Sequence, residues 1–222
     1  MRQKDVATPA KRGSLEREAL EASVRAKCEA GDLEGAATDV LVGYGPEILG
    51  MLHALTRHED DARDAFSRFS EDLWKGIGRF EWRASMRTWA YSLARNATIR
   101  MQRAPHRRVG RNLAVTDHEG LSVLVAQVRD RTMPFLRTEV KSELALLREA
   151  LEPDDQLLLI LRVDKQMNWD DIARITLEED GATPEDAGAR KRRAALLRKR
   201  FQNLKDRLRE QARERGLLDD AT

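Results

Sequence analysis

The apolar residues of this chain recur at steps of three and four. Across residues 61–77 the run is Ala62, Ala65, Phe66, Phe69, Leu73 and Trp74. That spacing gathers side chains on one face of an α-helix, whereas a strand would need alternation at every second residue. It also marks Ala37, Val40, Leu41 and Tyr44, and then Ile48, Leu49, Met51, Leu52 and Leu55. It returns in Met86, Trp89, Leu93, Ala94, Ala97 and Met101, and again in Leu197, Phe201, Leu204 and Leu208. Only 13 glycines and 6 prolines interrupt 222 residues, which favours helix over sheet. The expected fold is all-α.

Punctuation places the helices. Ser14 caps a first one, which Gly31 and Asp32 end. A second starts at Leu33 and is expected to bend at Gly43 and Gly45-Pro46, because an interior proline lacks a donor. His58-Glu59-Asp60-Asp61 opens the third with negative charge at the positive end of its dipole. A fourth starts after Ser85, with Arg87, Tyr91, Arg95 and Arg100 expected outward, and ends at Pro105. Residues 109–137 hold Gly110, Gly120 and Pro134 without a sustained period and read as a linker, with one short helix near 121–128. Periodicity resumes with Val140, Leu144, Leu147 and Leu151. It continues after Pro153 through Leu157, Leu158, Ile160, Leu161 and Val163. Asn168 caps residues 169–176, residues 177–188 form a loop or short helix, and a long helix covers 189–215. The expected organisation is two small helical domains, 14–108 and 138–216, joined by a flexible linker over 109–137. A basic arm precedes them (1–13) and a short tail follows (217–222).

Composition narrows the function. No apolar run approaches the roughly 20 residues of a membrane span, and the first residues lack the apolar core of a secretory signal. The expected compartment is the cytoplasm. A single cysteine, Cys28, excludes an intramolecular disulfide and a cysteine-rich zinc site. His53, His58, His106 and His118 show no metal-ligand spacing, and there is no phosphate-binding glycine loop and no nucleophile elbow. No catalytic residue, metal or cofactor is expected, and none of the motifs points to an enzyme.

Charge is segregated along the chain. Residues 98–111 hold five arginines (Arg100, Arg103, Arg107, Arg108 and Arg111) and no acid. Residues 152–186 hold eleven acids against three bases, and 190–215 hold twelve bases against three acids. Two separated basic regions fit a polyanion touched at two places. Between residues 80 and 101 aromatics alternate with arginines. An aromatic can stack on an unpaired base while arginine holds its phosphate; the same Trp82, Trp89 and Tyr91 would serve equally as the core of a small helical bundle. The segment 168–200 sets a short helix before a long one whose first turns carry Arg190, Lys191, Arg192, Arg193, Arg198, Lys199 and Arg200. That is helix-turn-helix logic for the major groove, with a longer connection than usual.

Specific motifs then carry a resemblance. Asp61-Ala62-Arg63-Asp64, Leu73-Trp74, Arg79-Phe80 and Arg87-Thr88-Trp89-Ala90-Tyr91-Ser92-Leu93-Ala94-Arg95-Asn96 resemble conserved region two of bacterial extracytoplasmic-function (ECF) sigma factors. Ala30-Gly31-Asp32 and Tyr44-Gly45-Pro46-Glu47-Ile48 are similar to that domain's first helix pair. Leu151-Glu152-Pro153-Asp154-Asp155-Gln156 with Trp169-Asp170-Asp171-Ile172-Ala173 resembles the start of region four. The resemblance implies a sigma factor without enzyme activity that binds core RNA polymerase, through the β′ clamp and the β flap, and promoter DNA. An anti-sigma factor is a further partner that it leaves open.

Residue by residue, the resemblance implies that Asp61, Asp64, Arg68 and Glu71 dock on polymerase. Phe80, Trp82, Arg83, Ser85, Arg87, Tyr91, Arg95, Asn96 and Arg100 would engage the melted −10 element. Arg192, Arg193, Arg198, Lys199 and Arg200 would read the −35 duplex. The chain departs from the family at Ser67, where a glutamine is usual, at Arg63, where an acid is usual, and at Glu81-Trp82-Arg83, where Arg-Gly is common. A stand-alone helix-turn-helix regulator, or a scaffold of opposed acidic and basic helices, would explain only part of this pattern.

Overall fold

The computed structural model describes residues 9–103, 119–138, 143–177 and 186–217, and every regular element among them is helical. The chain runs through α1 (Pro9–Glu29), α2 (Leu33–Thr56), α3 (Glu59–Gly76), a 3₁₀ turn at Ile77–Arg79, and α4 (Met86–Arg103). It continues with α5 (Glu119–Thr138), α6 (Glu143–Glu149), α7 (Pro153–Leu159), a wider π turn at Ile160–Asp164, α8 (Trp169–Thr176) and α9 (Ala187–Glu214). The all-α expectation holds.

Helix α2 is the hub. Val40, Leu41, Ile48, Leu49 and Leu52 are fully buried, and α1, α3, α4 and α5 all pack around it. Asp32 caps its start, accepting from the Gly35 amide at 2.9 Å. The expected bend does not break the helix, which runs unbroken past Pro46. The carbonyl that Pro46 leaves without a donor belongs to Val42, an exposed residue that water can reach. Gly45 serves a close approach: a Cβ there would meet Val128 of α5 at 3.0 Å and the Phe66 ring at 3.4 Å.

Three expectations need correction. The arm 1–13 is helical from Pro9 onward, and residues 1–8 lie outside the described residues. The linker 109–137 contains α5, with Leu121, Val125, Val128 and Met133 buried against α2 and α3. Its amphipathic stripe covers apolar surface that α2 and α3 would otherwise expose. Finally, Tyr91 and Arg95, expected on the outer face of α4, are inside: Tyr91 is 0% exposed and Arg95 3%. The elements covering them come from the C-terminal half, because α8 packs on α4 and α7 on α2. One continuous apolar cluster therefore runs from Val24 through Tyr91 to Ile172 and Leu197.

The C-terminal helices form as the punctuation implied. Pro153 opens α7, and Asn168 caps α8 by accepting from the Asp171 amide at 2.9 Å. Asp186 caps α9 through the Gly188 and Ala189 amides, which hold its carboxyl below the ordinary carboxylate range. Leu204 of α9 closes a smaller apolar cluster with Leu151 and Leu159, with Phe201 and Leu208 against it.

Candidate nucleic-acid interface

At the mouth of α4 three aromatic rings meet. Phe80 stacks on Trp89, with centroids 4.7 Å apart and planes tilted by 23°, and touches Trp82 at 5.0 Å. All three are half-buried, so each keeps part of its surface toward solvent. Arg25 of α1 lies over the Trp82 ring at 5.3 Å. Trp82 has φ +57°, a left-handed conformation that an L residue adopts at a cost. Gly76 makes room for the cluster, since a Cβ there would lie 2.9 Å from the Trp89 ring. The 3₁₀ turn after α3 thus delivers Phe80 onto Trp89, while the left-handed kink aims Trp82.

The cluster keeps its place because the start of α4 is pinned from a distance. Ser85 caps the helix locally through the Thr88 amide at 3.0 Å. Glu21, on α1, accepts from the amides of Met86 at 2.8 Å and Arg87 at 2.9 Å, and from the Tyr44 hydroxyl at 2.9 Å. A carboxylate at a helix N-terminus meets unpaired amides and a favourable dipole. Burial, followed by the charge of Glu21, pushes the Tyr44 hydroxyl far above its ordinary pKa. Sequence reasoning missed Glu21 and Arg25. The available signal was register: Glu21 falls on the same stripe of α1 as Val24 and Cys28, facing the bundle.

Further along α4, Arg87 makes a two-point pair with Glu47, at 2.8 and 2.9 Å, and donates to the Lys165 carbonyl at 3.2 Å. Burial would favour the neutral guanidine, but the hydrogen bonds and charge of Glu47 outweigh it, so Arg87 holds its proton more firmly than usual. The guanidinium lies 5.7 Å from the Tyr91 ring. Burial, followed by the charge of Glu47, keeps the Tyr91 phenol protonated. Arg95 faces Asp154 at 3.8 Å. Asn96 is half-buried, Arg100 is exposed and paired with Asp72, and Arg83 is exposed and paired with Glu81 at 2.7 Å.

Seven of the nine residues expected at the −10 element therefore fall into two groups. Phe80, Trp82, Arg83 and Ser85 surround an accessible aromatic site. Arg87, Tyr91 and Arg95 lie on a face that the C-terminal half covers.

On α3, Asp61, Asp64, Arg68 and Glu71 follow one another at steps of three and four and form one stripe. Asp64 is exposed and the other three are half-buried. Glu71 pairs with Lys75 at 3.4 Å. Ser67, beside the stripe, is buried and accepts from Arg129 of α5 at 3.2 Å.

Helix α9 also divides its candidates. Arg200, although exposed, pairs with Asp155 at 2.5 Å and Asp154 at 3.4 Å, and Arg207 reaches Asp155 from the next turns. Burial of Asp155 would raise its pKa, but these two arginines hold it below the ordinary value. Arg193 donates to the Thr176 hydroxyl at 3.1 Å. Arg198 lies over Trp169 at 5.7 Å. Arg192 and Lys199, seven residues apart, share the solvent side of α9.

Among the described residues no group of three or more His, Cys, Asp or Glu could hold a metal ion, and no helix is long and apolar enough to cross a membrane. Burial and the charge of Glu29 raise the Cys28 thiol, the opposite of activation.

Half-exposed stacked aromatics beside basic helices are a surface of the kind that nucleic-acid-handling proteins present. The family model for sigma-70 region 2 matches residues 41–108. RNA polymerase sigma factor YlaC of Bacillus subtilis (strain 168) is 30% identical over 139 residues, which are 62% of this chain and 77% of that protein. No solved structure matches the chain. The chain belongs to the RNA polymerase sigma factors, in the ECF type.

Proposed function

We propose that this sigma factor, which serves transcription initiation, reads its promoter with the half-exposed rings of Phe80, Trp82 and Trp89. The half-exposed stack at the head of α4 carries the reading. Extracting a base from a duplex costs a few kcal/mol, and stacking on an aromatic returns about 1–3 kcal/mol per base. Arg83 and Arg25 stand close enough in the chain and the fold to hold the flanking phosphates. Ser85, Asn96 and Arg100 continue the path along α4, and Arg87, Tyr91 and Arg95, covered in this structure, are assigned to the support of that helix.

The stripe Asp61, Asp64, Arg68 and Glu71 is assigned to the β′ clamp of core polymerase. The exposed side of α9, with Arg192 and Lys199 foremost, is assigned to the −35 duplex, and the C-terminal half to the β flap. Residues 14–108 and 138–216 are taken as the two functional units, with α5 belonging structurally to the first. An anti-sigma factor, and a cytoplasmic location beside polymerase, complete the reading.

In vitro transcription with core enzyme tests it, alongside anisotropy with a forked promoter fragment. Specific initiation and a preference for the unpaired −10 strand are expected. Binding to fully paired DNA alone, without initiation, would return the chain to the class of stand-alone regulators.

A further inference from the structure

Among the described residues three that are not glycine have a left-handed backbone: Arg57, Trp82 and Gln166. Arg57 caps α2, and Gln166 follows the π turn that ends at Asp164, places where a helix commonly stops in this conformation. Trp82 ends no helix. It sits in the loop between the 3₁₀ turn and α4, a bulky side chain in a conformation that suits glycine. Such strain persists only where the surroundings hold it, and it gathers at sites of function. At Glu81-Trp82-Arg83, where Arg-Gly is common in the family, the indole needs a support that glycine would not.

The support comes from both sides. Glu81 and Arg83 pair with each other at 2.7 Å across Trp82. Phe80 touches the indole at 5.0 Å, and the Arg25 guanidinium lies over it at 5.3 Å. Arg25 stands on α1 one turn after Glu21, whose carboxylate receives the Met86 and Arg87 amides. One side of α1 therefore braces the loop at two points, Glu21 at the head of α4 and Arg25 at Trp82. Glu29, a further turn along, accepts from the Arg25 Nε at 3.1 Å and orients the guanidinium. The Arg25 side chain is 59% exposed, so it does not serve the core. The attraction of a cation over an indole at an exposed site is of the same order as the cost of one left-handed residue. The pose of the ring therefore depends on whether the cation is there.

We propose that Arg25 is a positioning residue for base capture: its guanidinium backs the indole and keeps Trp82 in the turn from which the ring receives an unpaired −10 base. Any hold of Arg25 on phosphate is additional to this role. The proposal rests on the reading of Phe80, Trp82 and Trp89 as the capture site, and its test separates the two.

Holoenzyme formed from the full chain and core polymerase is titrated, by anisotropy, against the forked promoter fragment whose unpaired arm carries the −10 strand. Arg25→Met keeps the length and helix preference of the side chain and removes its charge, whereas Arg25→Lys keeps a cation. Each is made in the wild-type chain and in Trp82→Ala. Arg25→Met is expected to weaken binding about two- to fivefold more in the wild-type chain than in Trp82→Ala, and Arg25→Lys to recover part of that difference. The loss of one positive charge is common to both backgrounds and cancels in the cycle. The melting temperature should stay at the wild-type value, because an exposed pair with Glu29 contributes little. An equal loss in both backgrounds would leave Arg25 a phosphate contact alone and overturn the proposal. A fall in melting temperature of more than about 4 °C would make Arg25 a residue of the fold and overturn it too. Trp82→Ala binding as tightly as wild type would refute the capture reading itself, whereas a weakened Trp82→Ala without coupling to Arg25 refutes the positioning role alone.

Discussion

Replacing Glu21 by alanine removes a carboxylate that ties three elements together. It accepts from two amides at the head of α4 and from the Tyr44 hydroxyl of α2. A hydrogen bond to a charged group contributes about 1.5–3 kcal/mol net, and loss of a helix cap typically costs about 1. The two amides can recover water once the side chain is gone. Tyr44, at 2% exposure, cannot do so without opening the α1–α2 contact. The sum is about 3 kcal/mol, well below the full value of three charged bonds. For a chain of this size that is a fall in melting temperature of roughly 6–12 °C.

Urea titration followed by far-ultraviolet circular dichroism measures the loss. Glu21→Gln keeps one acceptor oxygen and should fall between wild type and alanine. Tyr44→Phe should cost about 1 kcal/mol. Because Glu21 and Tyr44 share a bond, the double variant Glu21→Ala with Tyr44→Phe should be less destabilised than the sum of the two single variants, by about 1 kcal/mol. A loss under about 1 kcal/mol for Glu21→Ala, or strict additivity in that cycle, would refute the claim that Glu21 pins the head of α4.

Trp82→Ala should weaken binding to an unpaired −10 strand by about 1–3 kcal/mol. Its melting temperature should barely move, because the ring is half-exposed on a strained backbone; anisotropy with an affinity equal to wild type would sink the base-capture role. Arg192→Ala and Lys199→Ala should each lower the salt slope of duplex binding by about one, with the fold intact. Arg200→Ala should instead loosen α7 from α9, because its partners are Asp154 and Asp155, and a melting temperature equal to wild type would contradict that contrast. Asp155 has its carboxyl held below the usual 3.8, so the folded chain binds that proton less readily than the unfolded chain. Its contribution is full above about pH 4 and fades as pH falls through the folded value. Stability titrations below pH 4 should therefore be shallower in Asp155→Asn, and equal slopes would refute the pairing.

The helices were legible because apolar spacing and caps are local facts: Asn168 caps α8 and Pro153 opens α7 as the residues alone imply. The stretch 109–137 was misjudged because Gly120 and Pro134 look like breakers. A glycine one residue into α5 and a proline near its end are tolerated, and the apolar stripe of Leu121, Val125 and Val128 holds the element in place. Tyr91 and Arg95 were misplaced for a different reason. Periodicity says which residues share a face of α4, and it is silent on whether another helix covers that face. Glu21 escaped notice since its targets lie 65 and 66 residues away. The aromatic cluster was visible as composition, but the place of Trp82 in it depends on the left-handed turn there, which no pattern at Glu81-Trp82-Arg83 announces.

The segregation of charge follows from the same chemistry. A chain that grips a polyanion through guanidinium groups must hydrate or pair them when the polyanion is absent, and an unpaired buried charge costs several kcal/mol. Arg192 and Lys199 stay on the surface, where water serves. Arg95 cannot do so once α7 and α8 fold against α4, and Asp154 faces it at 3.8 Å, while Arg200 pairs with Asp154 and Asp155 and still keeps contact with water. Two carboxylates of the acidic stretch, Asp154 and Asp155, are within reach of Arg95 of α4 and of Arg200 and Arg207 of α9.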